Sequence, residues 1–152
     1  MYNVIALALI FTSLFSCTIT ENGLVFGVPE YEKRDIDVTQ NDLEILLKTR
    51  ELLVSKNSWV KNSIRECSGS SPYSLYCALE FASKIVDGKY IHRRPALQEV
   101  RFAIDDRFNE RWKVHRLADF NAHQDTSHAD VIKVIEIALE RVKDKLSGKN
   151  LR

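Results

Sequence analysis

"SHADVIKVIEIALERVKDKLSG", Ser127 to Gly148, is the stretch whose reading decides the fold. Val131, Val134, Ile135, Ala138, Leu139, Val142 and Leu146 recur at the three- and four-residue steps of a single helical face. Ser127 and Asp130 have the spacing of a capping box. In that motif the serine oxygen accepts from a backbone N–H one turn on, and the acid reaches back to the cap. Gly148 stands just past the last apolar position, where a left-handed residue ends a helix. The stretch therefore predicts a capped amphipathic helix, and its stripe needs other elements to cover it.

Working back along the chain, Pro95 opens a second such element, with Leu97, Val100, Ile104 and Phe108 as its stripe. Ser71 before Pro72 reads as a cap and a first helical position, because the missing proline N–H costs nothing there. Leu75, Cys77, Ala78, Leu79, Ala82, Ile85 and Val86 continue that helix, and Gly88 closes it. Thr39 and Asp42 repeat the capping-box spacing ahead of Leu43, Leu46, Leu47, Leu53 and Val54. A shorter element, "WKVHRLADFN" from Trp112 to Asn121, carries Val114, Leu117, Ala118 and Phe120. "GLVFGV", Gly23 to Val28, is strand-like but has no partner. The expected fold is all-α, a single compact bundle of about five helices. It divides into an apolar signal segment at 1–16, a linker or arm at 17–38, the helical domain at 39–148 and a tail at 149–152.

Composition limits the function. Hydrophobic residues make up 45% of the 152 and charged residues 28%, which is globular rather than disordered usage. Lys plus Arg number 22 against 21 Asp plus Glu, a net charge of +1, which argues against a dedicated polyanion binder. Eight basic residues do fall between Lys89 and Arg116, close to Phe108 and Trp112. Four acids are interspersed among them, so the segment reads as a solvated face with internal pairs rather than as a nucleic-acid surface.

The apolar run Val4 to Cys17, "VIALALIFTSLFSC", is too short to span a bilayer but has the length of a secretory h-region. Leu14 three residues before Cys17, with Ser16 between, also resembles a lipoprotein signal whose cysteine is lipidated. Against this, Met1 to Asn3 lacks a basic residue and Phe15 is bulky for the pattern. Export is the expectation; the alternative is a cytoplasmic protein, with a mis-called start codon or an apolar arm packed on the domain.

Cys67 and Cys77 bracket "SGSSPYSLY", a loop flexible enough to close. In an oxidising compartment a bond between them would contribute about 3 kcal/mol by restricting the unfolded chain. The competing structural reading is Cys77 as a small buried hydrophobe. A nucleophilic Cys67 would need a base such as His115, His123 or His128 beside it. His115, Asp119 and His123 are spaced four and four, so one continuous helix would align them as metal ligands could be aligned. That helix is expected to end near Asn121, before His123, and no cofactor is expected. His128 falls in the first turn after the Ser127 cap, where local packing accounts for it.

Several pieces fall into line together: "LLKTRELL" at 46–53, the Trp59 turn, "YCAL" at 76–79 and "RLADFNAHQDTSHADV" at 116–131. Their order resembles a family of small helical domains found in bacteria and phages, domain of unknown function 6197, over roughly Asp42 to Val142. The resemblance implies a compact helical fold and supplies neither an activity nor catalytic residues. Glu80 stands where that family has a glycine after its Cys-Ala-Leu, and Ala122 where it has an aspartate after its asparagine. The expected role is a non-enzymatic interaction or structural protein with a protein partner, exported, and touching membrane only through a lipid on Cys17. A small enzyme using Cys67 or a histidine is the first alternative, and a cytosolic nucleic-acid-binding regulator the second.

Overall fold

The computed structural model describes residues 32–148 of the chain, and these include five α-helices. They are α1 (Gln40–Leu52), α2 (Leu75–Asp87), α3 (Pro95–Phe108), α4 (Arg116–Ala122) and α5 (His128–Leu146). The segment 1–16, Cys17 and the tail 149–152 lie outside the described residues. No described helix is long and apolar enough to cross a membrane.

α5 follows from its sequence directly. Ser127 Oγ accepts from the Asp130 N–H at 3.2 Å, and the Ser127 N–H donates to Asp130 Oδ2 at 3.0 Å. Val131, Val134, Ile135, Ala138, Leu139 and Val142 are buried. α5 packs on α1 and α3, α1 also packs on α2, and the short α4 fills the corner between α2 and α3. Proline at its first turn starts α3, whose stripe Leu97, Val100, Ile104 and Phe108 is buried. Gln98, Glu99 and Arg101 are buried too, so α3 is enclosed on more than one side. Part of that cover is the chain just before α1. There Lys145 Nζ donates to the carbonyls of Arg34 (2.6 Å) and Ile36 (3.3 Å), and the Arg34 guanidinium lies over the Phe102 ring.

Several sequence expectations need correction. Ser71 does not cap α2; Ser74 does, its Oγ accepting from the Cys77 N–H at 3.2 Å. The cause is a bridge between Trp59 and Tyr73. The Tyr73 N–H donates to the Ser58 carbonyl and its carbonyl accepts from the Val60 N–H, at 2.9 and 3.0 Å. Those bonds hold Tyr73 extended, so a helix can begin only after it.

The fourth helix starts at Arg116 rather than Trp112. Asp119 Oδ2 accepts from the N–H groups of Lys113, Val114 and His115, gathering them into a loop around the carboxylate. Val114 is thereby left 91% exposed instead of packed. In α1 the inner face is Asp42, Ile45, Leu46 and Thr49, while Leu47 is exposed and Val54 lies beyond the helix end. Asp42 turns the stripe inward: its Oδ2 accepts from the Thr39 N–H and Oγ1, and its Oδ1 accepts from the Ala96 N–H. Thr39 therefore stands at the cap position with its hydroxyl donating to the acid. Ile85 is also exposed, on the outer face of α2.

Candidate functional site

Arginine 101 is the residue around which the site is built. It stands in α3 one turn after Leu97 and one turn before Ile104, so the helix carries it inward and leaves it 6% exposed. A guanidinium stays charged there, and burial lowers its pKa without neutralising it. Its Nη1 donates to the His92 carbonyl at 3.0 Å and to Gln98 Oε1 at 3.1 Å. Its Nη2 lies 3.3 Å from His92 Nε2.

Because a guanidinium only donates, His92 Nε2 is the acceptor and the ring proton sits on Nδ1. Nδ1 then donates to the Tyr90 hydroxyl at 2.9 Å, and Tyr90 is in turn hydrogen-bonded to Tyr76. Burial, followed by that Tyr76 bond, pushes the Tyr90 phenol well above its usual range. Burial first and the Arg101 charge second hold His92 below the ordinary histidine value. His115 is held down in the same way, by burial and then by Arg65 and Arg101. Arg101, His92 and His115 border a recess of about 250 Å³, lined also by Glu32, Arg93, Gln98, Trp112, Val114 and Arg116. The Arg116 guanidinium lies over the Trp112 ring and pairs with Glu32 at 2.6 Å and Asp105 at 3.2 Å.

The residues singled out from sequence are placed as follows. The sulfurs of Cys67 and Cys77 lie at disulfide distance, with Cα atoms 5.4 Å apart. Around Cys67 Sγ the other polar neighbour is the Arg65 carbonyl. His128 lies elsewhere, its Nε2 2.8 Å from the Leu53 carbonyl and its ring against Trp59. His115 and His123 flank α4 at opposite ends rather than sharing its face. His115 Nδ1 accepts from the Ala118 N–H as the cap of that helix, and Asp119 is engaged by three backbone N–H groups. α4 ends at Ala122, ahead of His123, as the sequence led one to expect, so His115, Asp119 and His123 do not share one helical face. Among the described residues no group of three or more metal-binding side chains gathers.

In the basic stretch, acids from outside the segment answer several arginines: Asp42 and Asp87 face Arg94, and Asp130 faces Arg111. A larger cleft of about 700 Å³ lies between residues 34–38, α3 and α5. Its cations have acidic partners, Lys145 with Glu99 and both Arg34 and Arg141 with Asp106.

Sequence reasoning missed Tyr90, His92, Arg101 and Asn121. For Arg101 a signal existed, since it interrupts the apolar stripe of α3. Asn121 carried none, although its buried amide ties Trp59, Leu75, Val60 and Asn62 together.

A family model described as a family of unknown function (DUF6197) matches residues 37–141. Searches of curated proteins and of solved structures found no match.

Proposed function

We infer that this chain, which belongs to the family of unknown function DUF6197, is a non-enzymatic interaction domain of an exported protein, and that the Arg101 recess is a binding surface. The observation that carries the reading is the pairing of Cys67. A nucleophile needs a free thiolate beside a base, whereas Cys67 Sγ lies against Cys77 Sγ. His115 and His128 are engaged in backbone contacts of their own. A bonded Cys67–Cys77 pair suits an oxidising compartment, which agrees with the apolar run at 4–17. A lipid on Cys17 would keep the domain at a membrane surface.

Intact mass of the protein isolated from its native host tests this in one measurement. The expected species lacks residues 1–16, carries Cys17 with or without a lipid, and is two hydrogens lighter for the Cys67–Cys77 bond. A full-length chain recovered from the cytosol with every thiol reduced would overturn export.

A further inference from the structure

We propose that the Arg101 recess binds a carboxylate group, and that the chain's own Glu32 occupies the position this ligand takes. The proposal rests on reading the recess as a binding surface and adds the chemistry of what binds. Arg101 and Arg116 both line the recess; Arg116 is answered by Glu32 and Asp105, and Arg101 has no such partner among the described residues. Arg101 is buried, yet its hydrogen bonds go to a backbone carbonyl, a glutamine oxygen and a neutral imidazole. No carboxylate pairs with it among the described residues. A buried cation facing only neutral acceptors lacks the counter-charge that its desolvation calls for.

Two further donors point the same way. Trp112 Nε1 and Arg116 Nη1 are buried with no hydrogen-bond partner among the described residues, although Asp105 lies 3.2 Å from the latter. An indole N–H and guanidinium N–H groups are acceptor-seeking and can only donate. Both therefore favour an oxygen acceptor over another cation.

Glu32 identifies the group. It belongs to the segment before α1, outside the helical core, and reaches Arg116 Nη2 at 2.6 Å. The Arg116 guanidinium lies over the Trp112 ring, 5.3 Å from its centroid, and its donors suit carboxylate oxygens. The volume, about 250 Å³, falls below the roughly 300 Å³ at which sites for drug-sized ligands begin. The recess therefore takes a small acid or the carboxylate end of a longer chain.

The two indole N–H resonances of the intact protein provide the assay, since the chain has only two tryptophans. Succinate, a peptide ending in a free carboxylate, and inorganic phosphate are titrated into wild type, Glu32→Gln and Arg116→Gln. The Trp112 signal should move with a carboxylate while the Trp59 signal stays. Glu32→Gln should tighten binding about tenfold, because the competing internal ligand is gone. Arg116→Gln should abolish the response in a protein that still unfolds cooperatively. A tighter response to the peptide than to succinate assigns the ligand to a partner protein, and the reverse assigns it to a small acid; both support the proposal. Tighter binding of phosphate, equal affinity in wild type and Glu32→Gln, or a silent Trp112 signal in folded Glu32→Gln overturns it. A silent titration in protein of the expected processed mass would remove the ligand and leave the exported domain standing.

Discussion

Asn121 uses its whole hydrogen-bonding capacity. Its Oδ1 accepts from Trp59 Nε1 at 2.7 Å and from the Leu75 N–H at 3.0 Å. Its Nδ2 donates to the carbonyls of Val60 and Asn62 at 3.0 and 2.8 Å. One amide thus joins the Trp59 turn, the start of α2 and the end of α4. Asn121→Ala removes the acceptor of two donors and the donor of two acceptors, and should cost about 2–4 kcal/mol. Urea unfolding measures this. A loss below about 0.5 kcal/mol, the range of ordinary surface changes, would mean that water replaces the amide without penalty. Little of this was legible in the sequence, because an asparagine between two short elements reads as turn chemistry. Arg101 was legible in principle as a charge inside the stripe of Leu97 and Ile104. Tyr90 and His92 sit in a loop with no period and become meaningful only when α3 presents Arg101 to them.

At the scale of the element, helix ends distinguish what patterning shows from what only tertiary contacts decide. α5 and α3 were readable because each has a long stripe and a local start signal, the Ser127–Asp130 box and Pro95. For α2 the local sequence favoured Ser71 before Pro72 as the cap. The distant pairing of Tyr73 with Ser58 and Val60 moved the start to Ser74. Ser74→Ala should therefore cost about 1 kcal/mol, while Ser71→Ala, at an exposed site, should stay within about 0.5 kcal/mol. Paired thermal melts of the two variants decide it, and a larger loss at Ser71 would restore the earlier start. α4 was misjudged for a related reason. Three backbone N–H groups converge on Asp119, and no periodicity marks a carboxylate that organises the loop before its own helix.

The whole molecule carries its histidine chemistry as a pH response. His92 and His115 both have pKa values lowered from the ordinary 6.5, by burial first and by the charges of Arg101 and Arg65 after it. The folded state then resists protons that the unfolded chain accepts. Stability should fall as pH drops below about 6.5, and level off once the folded histidines also protonate. Protonation of His115 Nδ1 also removes the acceptor for the Ala118 N–H, so α4 should fray first. A second loss should follow below about pH 4. There Asp106, held low by Arg34, and Asp119 and Asp130, held low by N–H groups despite burial, take up protons. Asp105, raised by burial, works in the opposite sense above that range. Urea midpoints at about pH 7.5 and 5.5 test the first step. A higher midpoint at the acidic value would contradict it.

Lys145 has a consequence for proteolysis. Trypsin needs an arginine side chain in its specificity pocket and the following carbonyl open to attack. At Arg34 both are engaged: the guanidinium forks onto Asp106 with two 2.8 Å bonds, and the carbonyl oxygen accepts from Lys145 Nζ at 2.6 Å. Cleavage after Arg34 then tracks the population in which this segment has lifted away. Lys145→Met should raise the nicking rate severalfold while the helices stay intact, whereas equal rates would mean that the lysine holds nothing down. Because Glu32 lies two residues upstream of that bond, each nick detaches the carboxylate on Arg116 from the domain. The appearance of the cut chain on a gel therefore becomes a clock for how often the cationic recess stands open.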